Sequence, residues 1–143
     1  MPSVSSTTAE RPAPAGSDTE TIGVAIIGAG ERGVYYVGSR MAELARETGF
    51  RVVCVQDRLE DRATLAARHL DGIYADAGLD HRVRVAPDLE AAVRDPAVDL
   101  VLVTTHTNAH LAPVRAAARA GKRVYLDKPI SVDLADAEAI VEI

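Results

Sequence analysis

The 143-residue sequence has no tryptophan, one phenylalanine and four tyrosines, so aromatic side chains make up only 3% of it. Its 16 basic residues are outnumbered by 21 acidic ones, giving a formal charge of −5. A nucleic-acid surface draws on a basic stripe or on stacking aromatics, and both are lacking. The single cysteine, Cys54, excludes an intramolecular disulfide framework and a cysteine zinc cluster, and no metal-ligand pattern is present. No apolar run nears the roughly 20 residues needed to cross a bilayer. What is there is a 48% hydrophobic chain, long enough for one core.

Residues 1–21 are rich in Ser, Thr, Pro, Ala and Gly and nearly free of bulky apolar side chains. Such a segment cannot bury enough surface to offset its ordering entropy, and it reads as a disordered tail. It has neither the basic start nor the apolar stretch of a secretory signal, and Glu10, Asp18 and Glu20 argue against a transit peptide. The expectation is a cytoplasmic protein with one domain over residues 22–143.

From Ile22 onward, strand and helix patterns alternate. Ile22 to Ile27 is a short apolar run ending in glycine, as suits a strand covered on both faces. Residues 31–48 carry apolar side chains at helical spacing and stop at Gly49. A second strand runs from Arg51 to Gln56, and a helix from Leu59 to Leu70 turns Leu65, Ala66, His69 and Leu70 toward the sheet. Ile73 to Asp80 reads as a loop, Val83 and Val85 as a third strand, and Asp88 as the cap of a short helix. Strands from Val98 to Val103 and from Arg123 to Leu126 enclose a helix from Ala109 to Ala120, and a last helix opens near Ser131 or Asp133. Strands separated by helices of this size specify βαβ units, and hence an α/β fold with a doubly wound parallel sheet, the Rossmann arrangement.

Two constellations carry chemistry. The first is Gly28-Ala29-Gly30-Glu31-Arg32-Gly33, a G-x-G-x-x-G turn set between a strand and a helix. Gly28 allows the tight turn, Gly30 lets a pyrophosphate approach the backbone, and Gly33 lets helix and strand pack closely. Glu31 and Arg32 open the helix whose positive end faces that pyrophosphate. Asp57 closes the next strand where a ribose-binding acid belongs, and a carboxylate there favours NAD. Arg58 and Arg62 follow. Each reads equally as a solvated helix charge or as a guanidinium for a 2′-phosphate, so NADP stays open.

The second constellation is Thr105 to His110 together with Asp127-Lys128-Pro129. In a sheet of order 3-2-1-4-5, the ends of strands 4 and 5 flank the nicotinamide half of a dinucleotide. Thr105, His106, Asp127 and Lys128 therefore join the cofactor-binding set, with Lys128 the strongest catalytic candidate and His106 and His110 weaker ones. Asn108 reads as a helix N-cap, and Lys128 reads alternatively as half of a surface ion pair.

These residues, together with Arg62-Ala63 and Ala120-Gly121-Lys122, resemble the N-terminal, dinucleotide-binding domain of the Gfo/Idh/MocA oxidoreductases, from about Ile22 onward. The resemblance implies that Lys128 stands where the family's Glu-Lys-Pro lysine positions substrate and nicotinamide. Asp127 replaces the usual Glu, and His106 and Thr107 stand where the family has Pro and often Asn or Asp. It also implies hydride transfer between NAD(P) and a small-molecule substrate, a sugar, cyclitol or related polyol. Family members continue into a second α/β domain that supplies the acid/base residue and associates into homo-oligomers. This chain is expected to stop short of that domain, inside its last helix at Val141-Glu142-Ile143. The alternatives are a non-catalytic dinucleotide-binding module or remnant, and a relative that uses NAD in glycoside cleavage.

Overall fold

The computed structural model describes residues 20–143; of the tail expected over 1–21, residues 1–19 lie outside them. The chain first forms β1 (Ile22–Ile27), a π-helical stretch (Glu31–Gly38), α1 (Ser39–Glu43), α2 (Ala45–Thr48) and β2 (Phe50–Gln56). Then come α3 (Glu60–Asp76), β3 (Arg84–Val85), α4 (Leu89–Arg94), β4 (Leu100–Val103), a 3-10 turn (Thr107–Ala109), α5 (Leu111–Arg119), β5 (Arg123–Leu126) and α6 (Leu134–Val141).

The five strands are parallel and ordered β3-β2-β1-β4-β5, so the chain reverses direction across the sheet between β1 and β4. Alternation along β1 sends Val24 and Ile26 into one apolar layer, beneath the helices from Gly33 to Tyr74. Ala25 and Ile27 enter the opposite layer, beneath α4 and α5. Full burial of such a side chain contributes roughly 1.5–3 kcal/mol, which is why the central strand is apolar on both faces.

The structure departs from the sequence expectations where tertiary contacts overrule local pattern. The helix expected over 31–48 is broken. The Val34 carbonyl takes the Ser39 N–H, five residues on, and the Ser39 hydroxyl at 3.1 Å as well. Leu44, at φ −92° and ψ 11°, separates α1 from α2.

α3 runs on to Asp76, through the expected loop. Tyr74 is fully buried there, and its hydroxyl accepts the Val52 N–H at 2.8 Å. Its buried face is Ala63, Ala66, Ala67, Leu70 and Tyr74. Leu65 and His69, expected on that face, are exposed instead, and His69 packs on the Tyr35 ring with centroids 4.7 Å apart.

β4 starts at Leu100 rather than Val98, because the Val98 N–H turns back to the Asp95 carbonyl. α5 starts at Leu111, and Asn108 makes no cap: it lies exposed in the preceding 3-10 turn. Asp88 and Asp133 do cap their helices, accepting the N–H of Ala91 and Asp136 at 2.7 and 3.0 Å.

Candidate functional site

The site lies at the carboxyl ends of β1, β2, β4 and β5, where the strand order reverses. Its foundation is the turn after β1. Gly28 has φ +99°, and a Cβ there would come within 2.8 Å of the Thr104 and Thr105 backbone. Gly33 is equally constrained, since its Cβ would stand 2.1 Å from Thr104 Oγ1 and 2.9 Å from the Gly28 carbonyl. Gly30 differs: a Cβ there meets nothing within 4 Å. The turn is therefore packed tightly behind Gly28 and Gly33 and open in front of Gly30. This opening lies at a helix start, whose first N–H groups lack backbone partners. The geometry fits a pyrophosphate.

Hydrogen bonds hold the turn in place. The Gly28 N–H donates to the Gln56 carbonyl at 2.8 Å. Asp57 Oδ2 accepts the Ala29 N–H at 2.8 Å, and Oδ1 accepts the Leu59 N–H at 2.9 Å. Thr104 Oγ1 donates to the Gly28 carbonyl at 3.0 Å. Asp57 thus ties the turn to the end of β2, while each carboxylate oxygen keeps a lone pair for ribose hydroxyls.

A cavity of about 370 Å³ opens against this turn, within the usual range for ligand pockets. Gly28, Gly30, Asp57, Arg58, Arg62, Thr105 and His106 of the sequence-derived set all line it, joined by Leu59, Leu89 and Pro113. Glu31, Arg32, Gly33, Asp127, Lys128 and His110 do not. Thr104 is the clearest residue that sequence reasoning passed over. Its place at the exit of β4 was visible, but its contact with Gly28 depends on β4 lying beside β1.

The other side of the crevice is looser. Arg32 Nε lies 3.3 Å from Asp127 Oδ1, a contact that joins the first helical turn to the exit of β5, with Arg32 mostly exposed. Lys128 is exposed, and the Lys128–Pro129 peptide is cis. His110 is a correction. It is buried, at 1% exposure, rather than presented to the crevice as a base. Nδ1 lies 3.0 Å from the Ile130 carbonyl and Nε2 lies 3.2 Å from the Thr105 carbonyl. The ring links the β4 exit to the segment after Pro129. His106 is exposed and lines the cavity, so it alone of the two histidines faces the site. Cys54 is no nucleophile: burial, with Asp95 nearby, pushes its thiol up to about 11.

Residues 22–143 match the model of the Gfo/Idh/MocA group, an oxidoreductase family with an NAD-binding Rossmann fold. The chain belongs to this family. Among relatives of the Gfo/Idh/MocA domain described above, the scyllo-inositol 2-dehydrogenase (NAD(+)) of Bacillus subtilis is 29% identical over 118 residues, covering 82% of this chain and 31% of that protein. The inositol 2-dehydrogenase of Streptomyces avermitilis is 32% identical over 124 residues, covering 87% and 32%. The myo-inositol dehydrogenase of Lactobacillus casei, solved with NAD(H) and myo-inositol, superposes with a TM-score of 0.69 at 29% identity, over 85% of this chain and 32% of that one. The chain spans about a third of the length of these relatives. Among the described residues, no helix is long and apolar enough to cross a membrane.

Proposed function

We propose that this chain is the cofactor-holding part of an NAD(P)-dependent oxidoreductase acting on a cyclitol, sugar or related polyol. The observation that carries the reading is the clasped glycine turn, open only in front of Gly30 and tied to Asp57. The inositol dehydrogenases among its relatives support a polyol substrate, and a soluble, cytoplasmic setting accords with such chemistry. When bound, the dinucleotide supplies the hydride acceptor or donor at nicotinamide C4.

This chain's own residues hold and orient. The N–H groups ahead of Gly33 face the pyrophosphate, and Asp57 accepts hydrogen bonds from ribose hydroxyls. Thr105 and His106 border the cavity on the β4 side. In this reading Lys128, just beyond β5, donates from Nζ to a substrate oxygen, and its positive charge favours the alkoxide form of that oxygen. Proton removal requires a base, and His106 is the histidine of this chain that faces the cavity.

The test is titration of the purified 143-residue chain with NADH, followed by turnover assays over a panel of inositols and sugars. Saturable binding supports the cofactor reading, and its absence sinks it. Binding without turnover on any polyol favours the second reading, a dinucleotide-binding module without catalysis. The sequestration of His110 is the observation on that side.

A further inference from the structure

The His110 ring is buried between two carbonyl oxygens, with Nδ1 3.0 Å from that of Ile130 and Nε2 3.2 Å from that of Thr105. Both distances lie in the range of N–H···O hydrogen bonds. A neutral imidazole has one N–H, however, and its other nitrogen is an acceptor. A carbonyl oxygen only accepts, so in the neutral ring one of the two contacts sets lone pair against lone pair. The imidazolium has two N–H groups and satisfies both carbonyls, through charge-assisted bonds roughly twice as strong as neutral ones. One proton from solvent, added to the bare ring nitrogen, therefore turns a repulsive contact into a second hydrogen bond.

The two carbonyls belong to different strand exits. Thr105 leaves β4 and lines the cavity, whereas Ile130 follows Lys128 by two residues in the segment between β5 and α6. The neighbouring elements carry charged or titratable groups: His106 at the β4 exit, Asp127, Lys128 and Asp133 after β5, Asp136 on α6 and Arg115 on α5. On α4, Glu90 and Arg94 pair with each other. Among the described residues none of these forms an ion pair with the ring, whose polar partners are the two carbonyls. We propose that His110 is a proton-dependent clasp between the β4 exit and the segment that carries Lys128. The charged ring holds the two exits together by two hydrogen bonds, and the neutral ring by one. The consequence for Lys128 rests on the oxidoreductase reading above; the clasp itself needs no cofactor.

NMR of the full chain, free of cofactor, tests this between about pH 8 and pH 5. The ring nitrogen-15 signals count the N–H groups on His110, and the carbonyl carbon-13 signals of Thr105 and Ile130 show whether each accepts a bond. As the ring takes up its proton, one of the two carbonyl signals is expected to move downfield with the same midpoint. The order parameter of the Ile130 amide should rise toward about 0.85, the value of rigid backbone. In His110→Gln, which has no proton to gain, the step disappears; in His106→Gln it stays. A ring that gains its proton while both carbonyl signals stay still overturns the proposal. So does a ring whose proton count does not change across the titration. A step that survives in His110→Gln also overturns it, because another group then causes the change. NADH titration at both ends of the range keeps the two readings apart. Absence of NADH binding sinks the cofactor reading and leaves the clasp to stand on its own signals.

Discussion

The two sides of the crevice are built differently. On the β1–β2 side four hydrogen bonds anchor the turn, Gly28 to Gln56, Ala29 and Leu59 to Asp57, and Thr104 to Gly28, and leave the N–H groups at the helix start open. On the β5 side Lys128, Pro129 and Ile130 are exposed, Val132 and Leu134 are each 74% exposed, and the crevice is spanned by one solvent-facing ion pair. The first side is rigid before any ligand arrives, so it can spend little on ordering when a pyrophosphate binds. The second side leaves Lys128, Ile130, Val132 and Leu134 exposed, and few contacts set the geometry of its loop. Cofactor binding should therefore depend on the first side and be nearly indifferent to the second.

The sharpest way to break that contrast lies within the turn. Gly28→Ala combines a positive φ with backbone contacts under 3 Å, and is expected to destabilise by about 3 kcal/mol. For a domain of this size that is a fall in Tm of roughly 10 °C or more, with NADH binding lost. Gly30→Ala places its methyl in open space. Tm should move by no more than the effect of about 1 kcal/mol at an N-cap, while NADH affinity drops at least about tenfold because the methyl occupies the pyrophosphate's approach. Thermal unfolding and NADH titration of both variants check this. Equal loss of stability in the two would mean that Gly30 is structural and faces no ligand.

Asp57→Asn comes next. The amide keeps one acceptor oxygen, so one of the two N–H contacts is lost along with the charge. Hydrogen bonds to charged groups contribute about 1.5–3 kcal/mol, so a modest fall in Tm should accompany a loss of NADH affinity of about tenfold. A full-affinity Asp57→Asn chain would confine Asp57 to holding the turn and remove it from the ribose.

How much of this was legible beforehand follows from the range of the interactions. The strands, the glycine turn and Asp57 are local patterns: alternation within a few residues, a motif of six, and an acid closing a strand. Each is readable without knowing what lies beside it. Thr104, Tyr74 and His110 are not. Thr104 matters because β4 pairs with β1 across 77 residues of chain, as its contact to Ile27 shows. Tyr74 extends α3 because its hydroxyl meets Val52 on another element, so a stretch that looked like a loop became helix. His110 reads as a candidate base because it closes the Thr105–His110 segment after β4, yet its partners are carbonyls brought together by the fold. Long-range contacts of this kind leave no periodic trace.

His110→Phe tests whether the second side depends on its one internal link. A ring without nitrogens leaves unpaired whichever carbonyl, Thr105 or Ile130, the imidazole N–H serves, at a cost of about 1–3 kcal/mol. His110→Gln keeps an amide donor and should recover part of the loss. NADH affinity should change less in both variants than in Asp57→Asn. A loss of affinity equal to that of Asp57→Asn would show that the β4 exit is held by the β5 side, and the contrast between the two sides would not stand.

The smallest effect is expected from the ion pair that joins them. Arg32 and Asp127 meet through a single 3.3 Å contact, with Arg32 56% exposed. Such pairs contribute about 0–1 kcal/mol, because two mobile side chains must be fixed in a screened, high-dielectric setting. Arg32→Ala, Asp127→Ala and the double variant should therefore unfold within a few degrees of the parent. The informative quantity is the coupling between the two substitutions. Coupling near zero at moderate salt means that the β5 exit is not held against the glycine turn, so Lys128 takes its position only when a ligand or another part of the protein closes on it. Coupling well above 1 kcal/mol would make the pair a fixed strut, and the second side as rigid as the first.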